Sequence, residues 1–168
     1  MTDTMRTMCS ADMAWRTATK RNKLSKPLRW LCENDLIGGR HLDYGCGRGD
    51  DADELGCERY DPHFSPVMPP GWFDTITCLY VLNVIEEERS RLAVLRDIQS
   101  KLEEDGRAYI AVRANRKDLK GLTSIGTWQG LVTLNLPVVY KDSDTVIYEL
   151  SVGDLVCAAP AETFGGAE

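Results

Sequence analysis

Apolar residues recur along the chain with two different spacings, which predict alternating helices and strands. Leu28, Leu31 and Leu36 follow a helical period, and Ser25 ahead of them is a residue that commonly caps a helix. The largely apolar stretch 73–85, FDTITCLYVLNVI, is instead typical of a strand that is buried on both faces. Together they indicate a sheet that is covered by helices.

Helical spacing returns over 86–104, where Leu95 and Leu102 share the inner face. The range 50–55, DDADEL, predicts a helix of barely two turns, and 103–106, EEDG, predicts a turn after the long helix. Further short strands are predicted at 40–45, 57–62, 107–113, 131–135, 138–141 and 145–150.

These elements predict an α/β domain with an open sheet and an antiparallel hairpin at its edge. In such sheets, ligands bind beyond the carboxyl ends of the strands. We expect the domain to occupy residues 25–151, with a basic arm over 1–24 before it and a disordered tail over 152–168 after it.

Composition narrows the class of protein without changing this fold. With 168 residues, 43% hydrophobic and 27% charged, the chain suits one globular domain. It lacks both a membrane-spanning apolar run and the apolar core of a secretory signal, so we expect a cytoplasmic protein. The six cysteines form no C-x-x-C pair, which favours free thiols over the alternative of a zinc site through Cys46, Cys57 and the two histidines. No metal is expected.

Charge is distributed unevenly, although the net charge is only -6. Between Met1 and Leu31, seven basic residues stand against two acids, and the rest of the chain is acidic. A basic arm on an acidic body can steer polyanions towards one face, which makes nucleic acid a candidate partner. The alternative is that the arm is simply a solvated surface.

Three glycines alternate in the stretch HLDYGCGRGDDADEL, directly after a predicted strand. Gly45, Gly47 and Gly49 allow positive φ and close approach of a ligand to the backbone, as in many nucleotide sites. The spacing departs from the G-x-G-x-x-G dinucleotide fingerprint, and Asp50 and Asp51 would repel a pyrophosphate. The turn therefore favours S-adenosylmethionine, which carries an ammonium and a sulfonium but no phosphate, over a nicotinamide dinucleotide.

Several stretches in a fixed order resemble one known family. HLDYGCGRG, the acid Asp61 after the next strand, FDTITCLYVLNVI and KLEEDGRAYIAV resemble the class I S-adenosylmethionine-dependent methyltransferases, over the range 36–113. More narrowly, YGCGRGDD, YDPHF and YVLNVIEEER resemble small methyltransferase-like proteins of phages and of DNA phosphorothioation neighbourhoods. The resemblance implies a Rossmann-like sheet and S-adenosylmethionine as the cofactor.

The resemblance also implies roles for residues at the strand ends. Asp43 and the glycine turn would face the methionine part of the cofactor, and Asp61 would accept hydrogen bonds from the ribose, although it also suits a turn before Pro62. For Asp50 and Asp51, favourable charge at a helix start is preferred to contact with the ligand. The implied cofactor-binding residues are Asp43, Gly45, Cys46, Gly47, Gly49, Asp61, Pro62, Phe64, Leu79 and Tyr80.

The chain is shorter than the family pattern in one place. Only eleven residues separate Asp61 from Phe73, where the family places a third strand with flanking helices, so these elements are predicted to be absent. The expected fold is therefore a trimmed Rossmann-like methyltransferase sheet. The loop PHFSPVMPPGW must then supply a wall for the adenine, with Phe64, Met68 and Trp72 as candidates.

Methyl transfer is an in-line displacement, which needs positioning more than dedicated catalytic groups. The candidate catalytic residues are Tyr80, Asn83 and His63, although His63 also suits packing on the cofactor. The sequence has LYVLNV where amino-methylating DNA enzymes carry an (Asp/Asn/Ser)-Pro-Pro-(Tyr/Phe) motif, which disfavours a standard adenine-N6 or cytosine-N4 enzyme.

Acceptor binding is expected in the loop over 113–130, which leaves a strand on the cofactor side. Arg113, Thr127 and Gln129 are the candidate acceptor-binding residues, beside the cations Arg116, Lys117 and Lys120; Trp15, Trp30 and Trp128 are candidates for stacking on a base. Two functions stay open. One is a methyltransferase of unknown acceptor, with a slight lean to an anionic or nucleic-acid acceptor, and the other is a non-catalytic S-adenosylmethionine-binding sensor or partner subunit.

Overall fold

The computed structural model describes residues 10–18, 20–115, 121–124, 126–154 and 156. Their helices are α1 (Lys26–Glu33), α2 (Asp50–Leu55) and α3 (Glu88–Gln99), with short 3₁₀ helices at Ser10–Thr17 and Leu82–Val84. The strands are β1 (His41–Tyr44), β2 (Glu58–Tyr60), β3 (Phe73–Leu79), β4 (Leu102–Arg113), β5 (Gly121–Leu122), β6 (Trp128–Gln129), β7 (Val138–Lys141) and β8 (Thr145–Leu150).

Six of these strands form one sheet in the order β2-β1-β3-β4-β8-β7. β2, β1, β3 and β4 run parallel, whereas β8 pairs antiparallel with both β4 and β7. Because parallel strands end at the same edge of a sheet, the turns that follow β1, β2 and β3 lie side by side. The predicted α/β sheet with an antiparallel edge hairpin is confirmed.

Alternation along β4 explains why helices cover both faces of the sheet. Ile110 belongs to the main core together with Leu95 and Ile98 of α3. The next residue, Ala111, belongs to a second cluster with Leu31 of α1. All five are at most 2% exposed. Burial of a large aliphatic side chain stabilises a fold by about 1.5–3 kcal/mol, so these contacts hold α1 and α3 on opposite faces.

The sheet is trimmed at the β2 edge, as predicted. The described residues between β2 and β3 contain neither a helix nor a further strand, and their only pairing is an isolated bridge between Asp61 and Ser65. β2 is therefore the outer strand on this side.

The apolar stretch 73–85 is not one strand, which corrects the prediction. β3 ends at Leu79 because Tyr80 takes a left-handed backbone conformation with φ of 62°, and a 3₁₀ helix follows. Asn83 stabilises this turn: it is fully buried, and its side chain bonds the backbone of Arg113 and Gly130. Apolarity predicted the burial of this stretch but not its conformation.

The long helix and the turn after it also differ from the prediction. α3 is shorter than the range 86–104, and the residues of the predicted turn 103–106 belong to β4. Phe73 of β3 pairs with Leu102 of β4, whereas Thr75, two residues later, pairs with Arg107, five residues later. β4 therefore has more residues than β3 over this stretch, and the extra ones form a bulge.

The predicted strand 131–135 is not formed in the described chain. Val132 is buried in the main core and Leu134 packs against it, so their alternation reflects a loop that lies on the core without pairing. The nearby pairing is instead the small hairpin of β5 and β6.

Part of the predicted basic arm is ordered against the domain. Residues 1–9 and 157–168, which include most of the predicted tail, lie outside the described residues, as do Arg116, Lys117 and Lys120. No helix in the described part of the chain is long and apolar enough to cross a membrane.

Candidate functional site

A cavity of about 440 Å³ opens at the carboxyl edge of the sheet, a volume in the range of small-ligand sites. Its walls are the glycine turn after β1 (residues 45–49), the loop after β2, the residues after β3 and the N-terminal segment. We define the N-terminal segment as residues 10–18, 20 and 21. The predicted site residues that line it are Gly45, Cys46, Gly47, Asp61, Pro62, His63, Leu79, Tyr80, Arg113 and Gln129. The predicted site residues that do not line it are Asp43, Gly49, Phe64, Asn83 and Thr127.

The glycine turn has a conformation that glycine alone adopts without strain. Gly45 and Gly47 have φ values of 77° and 55°. A Cβ on Gly45 would also lie 2.4 Å from Cγ2 of Val81. The amides of Gly45 and Cys46 donate to the carbonyl of Tyr60 at 2.7 and 3.1 Å, which joins the turn to the end of β2.

Asp61 joins the loop after β2 to the glycine turn. Its Oδ1 accepts hydrogen bonds from the amides of His63 and Phe64, both at 2.9 Å, and its Oδ2 accepts one from the amide of Gly47 at 3.0 Å. The turn before Pro62 is therefore present, and the same carboxylate lines the cavity. Since a carboxylate offers about four lone-pair positions, about one remains, on Oδ2.

The acids at the start of α2 bind the N-terminal segment and the residues after it. Asp50 Oδ2 accepts a hydrogen bond from the amide of Arg21 at 2.6 Å, and Asp51 Oδ1 accepts one from the amide of Ser25 at 2.8 Å. The Arg21 guanidinium lies 3.7 Å from Asp51 Oδ2. Both acids therefore fix a wall of the cavity, beyond the favourable charge that the sequence predicted.

An aromatic group forms the wall beside the loop after β2. Trp15 stacks on His63, with ring centroids 4.5 Å apart and planes 9° from parallel. Phe64 stands edge-on to His63 at 4.7 Å between centroids. Arg48 lies 5.5 Å from the centre of the Phe64 ring and donates a hydrogen bond to the carbonyl of Ala18. The wall thus combines the β2 loop with the N-terminal segment.

This wall corrects the prediction made from the loop alone. Phe64 packs on His63 and does not line the cavity, and Met68 packs against the main core. Trp72 is 61% exposed and precedes β3, which puts it at the opposite edge of the sheet. The sequence predicts Trp15 only as one of three aromatics able to stack on a base, whereas the structure stacks it on His63.

The residues after β3 and β4 form the other side of the cavity. The hydroxyl of Tyr80 shares a hydrogen bond with the hydroxyl of Thr145 at 2.8 Å. The guanidinium of Arg113 lies 4.7 Å from the centre of the Tyr80 ring. Gln129 lines the cavity from β6. Tyr80 has left-handed backbone, which costs conformational energy in a residue other than glycine.

Asn83 and Thr127 do not face the cavity, because their side chains are fully engaged elsewhere. Asn83 Oδ1 accepts a hydrogen bond from the amide of Arg113 at 2.7 Å, and its Nδ2 donates to the carbonyl of Gly130 at 2.8 Å. Thr127 is 1% exposed, and its hydroxyl bonds that of Thr123 at 2.7 Å. Asn83 binds the amide of Arg113 and Thr127 bonds within a turn, so neither the predicted catalytic Asn83 nor the predicted acceptor-binding Thr127 presents its side chain to the cavity.

Asp43 and Gly49 support the site from behind. Burial, and next the Asp51 carboxylate, raise the pKa of Asp43 to about 7. The Thr77 hydroxyl lies 3.3 Å from Asp43 Oδ1 and 2.9 Å from Nε2 of His41, whose pKa burial lowers to about 4. Gly49, with φ of 83°, caps the start of α2. Both predicted cofactor-binding residues thus lie beneath the cavity surface.

Solved structures provide matches to this fold at low sequence identity. A TehB-like SAM-dependent methyltransferase from Corynebacterium glutamicum aligns with 18% identity and a TM-score of 0.50, over 84% of this chain and 97% of its own. CalS10, an amino pentose methyltransferase from Micromonospora echinaspora, aligns with 15% identity and a TM-score of 0.45, over 82% and 65%. Coclaurine N-methyltransferase aligns with 14% identity and a TM-score of 0.41, over 56% and 39%. The chain therefore spans less than two thirds of the last two proteins.

Among curated protein sequences, no match is found. A family profile described as a methyltransferase domain matches residues 15–135, which is most of the chain and includes Trp15 and Arg21 of the N-terminal segment. This match confirms the resemblance drawn from the sequence, with S-adenosylmethionine as the cofactor, whereas the narrower resemblance to phage proteins stays a prediction. By this match and by its trimmed Rossmann-like sheet, the chain belongs to the methyltransferase-domain family.

Proposed function

We propose that the protein transfers a methyl group from S-adenosylmethionine to an acceptor that binds beside Tyr80. The observation that carries this proposal is the fixed Asp61 carboxylate, which lines the cavity next to the glycine turn and keeps about one lone pair for a ligand. A ribose hydroxyl is a suitable donor for it. The backbone of Gly45, Cys46 and Gly47 would hold the methionine part.

The single remaining lone pair on Asp61 limits how many ribose hydroxyls it can bind. Oδ1 already accepts hydrogen bonds from two backbone amides, so the carboxylate has room for a hydrogen bond from one ribose hydroxyl but not from both. Removal of that hydroxyl from the ligand should weaken binding about tenfold, and removal of the other should change it little. Isothermal titration of S-adenosylhomocysteine against its 2′-deoxy and 3′-deoxy forms measures this difference. Equal losses for both forms would contradict the one-hydroxyl arrangement.

The chemistry of the reaction needs few groups from the protein. When bound, the cofactor supplies a methyl group on a sulfonium, and an acceptor in line with the S–C bond takes it. Leu79 and Tyr80, at the end of β3, would place the acceptor against that bond. Cys46 is not the nucleophile at neutral pH, because burial raises the pKa of its thiol to about 12 and keeps it protonated.

The acceptor side favours an anionic group. Arg113 lines the cavity with its guanidinium over the Tyr80 ring, and no acidic side chain in the described part of the chain forms an ion pair with it. A carboxylate or phosphate of the acceptor suits the guanidinium of Arg113, and Gln129, which lines the same cavity, offers both a donor and an acceptor. These contacts support the lean to an anionic acceptor, of which a nucleic acid is one class.

His63 would contribute to binding rather than to proton transfer. Its ring is stacked on Trp15, on the loop after β2, whereas Tyr80 follows β3. β1 lies between these strands, so the two ends are about 10 Å apart. An acceptor that must lose a proton would release it to solvent.

Two measurements test the proposal. S-adenosylhomocysteine should bind the protein by isothermal titration, and Asp61→Asn should weaken that binding about tenfold, whereas Asp53→Asn, at an exposed acid paired with Arg59, should not. A labelled methyl donor is then incubated with lysate separated into nucleic acid, protein and small molecules. Label in one fraction identifies the class of acceptor. Binding with no label in any fraction would support the non-catalytic sensor or partner subunit instead.

A further inference from the structure

The charges around the glycine turn raise a problem for the proposed cofactor. Its methionine end carries an ammonium and also a carboxylate. Asp50 and Asp51 line this part of the cavity and would attract the ammonium, but they would repel the carboxylate. A cation near these two acids would offset this repulsion and favour binding of the whole methionine end.

We propose that Arg21 binds the carboxylate of the methionine end and so makes the N-terminal segment part of the cofactor site. Arg21 lines the cavity, and its backbone amide is fixed by Asp50 at 2.6 Å. Its guanidinium stands 3.7 Å from Asp51 and is 36% exposed, so it keeps donors for a ligand. This inference rests on the proposed function, because it assumes S-adenosylmethionine as the ligand.

The other cationic side chains that line the cavity contact different walls. Arg48 donates to the carbonyl of Ala18 and lies against Phe64, in the aromatic wall. Arg113 lies over Tyr80, on the acceptor side. Among the described residues that line the cavity, Arg21 is thus the cation placed at the two acids. A guanidinium also matches a carboxylate in a bidentate fork, which a lysine does not.

The experiment compares two ligands that differ by the carboxylate alone. Isothermal titration is carried out with S-adenosylmethionine and with its decarboxylated form, on the wild type and on Arg21→Gln. We expect Arg21→Gln to weaken binding of S-adenosylmethionine about tenfold or more and to leave binding of the decarboxylated form within about twofold. Lys23→Gln, at an exposed cation two positions further on, should change neither affinity.

Each outcome separates this inference from the proposed function. Wild type that binds neither ligand would refute S-adenosylmethionine binding itself. Wild type that binds both, with Arg21→Gln losing equal affinity for the two ligands or losing none, would overturn the role of Arg21 and leave the proposed function standing. If Arg21→Gln does not fold, Arg21→Lys is measured in its place. We expect it to lose less affinity, and to lose it only for S-adenosylmethionine and not for the decarboxylated form. If Arg21→Lys binds S-adenosylmethionine as tightly as the wild type does, the contact is refuted.

Discussion

The two sides of the cavity are built in different ways. On the β1 and β2 side, polar side chains are already bound by backbone amides: Asp61 accepts three, and Asp50 and Asp51 accept one each. On the β3 and β4 side, Tyr80 and Arg113 present their side chains and are held from behind. The proposed cofactor side is therefore shaped by backbone geometry, which most substitutions in its turns would disturb. The proposed acceptor side depends on a few side chains that could be exchanged without altering the fold.

The largest expected effect comes from Gly45→Ala. Alanine is strained in the left-handed backbone conformation of Gly45, and its Cβ would lie 2.4 Å from Val81. The turn must therefore change shape. We expect affinity for S-adenosylhomocysteine to fall about 100-fold in isothermal titration. Gly56→Ala is the matched control, because Gly56 has φ of 66° but no atom within 4 Å of the added Cβ. It should lower stability by about 1 kcal/mol and leave affinity unchanged; equal losses of affinity would argue against the backbone account.

Trp15→Ala removes the stacked ring from the aromatic wall. We expect about tenfold weaker binding of S-adenosylhomocysteine, since the loss of an aromatic contact is typically worth about 1–3 kcal/mol. Phe64→Ala should weaken binding less, because Phe64 only supports His63. Trp72→Ala, at an exposed ring on the opposite edge, serves as the control. Unchanged affinity of Trp15→Ala would show that the N-terminal segment is not a wall of the cofactor site.

Arg113→Gln tests the acceptor side alone. It removes the guanidinium over Tyr80 but keeps the backbone amide that Asn83 binds. Once the labelled-donor assay has identified an acceptor, the KM of Arg113→Gln for that acceptor should be about five- to tenfold higher than that of the wild type. Its affinity for S-adenosylhomocysteine should stay within about twofold of the wild-type value. A parallel loss of cofactor affinity would mean that the two sides are not independent.

The smallest effect on ligand affinity is expected at the buried Asp43, which instead affects stability, because its pKa of about 7 lies above the ordinary value of 3.8. The folded protein therefore binds a proton more tightly than the unfolded chain, so this group stabilises the fold most at low pH and its contribution is lost as pH rises from about 4 to about 7. Asp43→Asn should remove this loss of stability and raise the melting temperature at pH 8 by about 10 °C, with little change at pH 4. The same increase at both pH values would point to packing instead.

Local signals in the sequence were enough to predict much of the fold. α2, β7 and β8 have the predicted bounds, because glycines or the Asp142 turn delimit them. Gly45 and Asp61 could be predicted as site residues for a related reason, since each lies in a turn directly after a strand.

The remaining features depend on contacts between distant parts of the chain. Arg21 reaches its place through Asp50, which is 29 residues away, and Asn83 is fixed by Gly130, which is 47 residues away. Hydrophobic periodicity carries no information about such polar pairs. For this reason the end of β3 and the N-terminal wall emerged only from the structure.

The N-terminal segment also affects how the cavity exchanges its contents. A Cβ on Gly47 would lie 3.1 Å from that of Ala18, so Ala18 lies directly against the turn along which the methionine end would run. Used cofactor must leave, and fresh cofactor must enter, once in every cycle. For a cofactor bound as proposed, we expect the segment to lift from Gly47 and close again at each exchange, so that this motion would slow cofactor release.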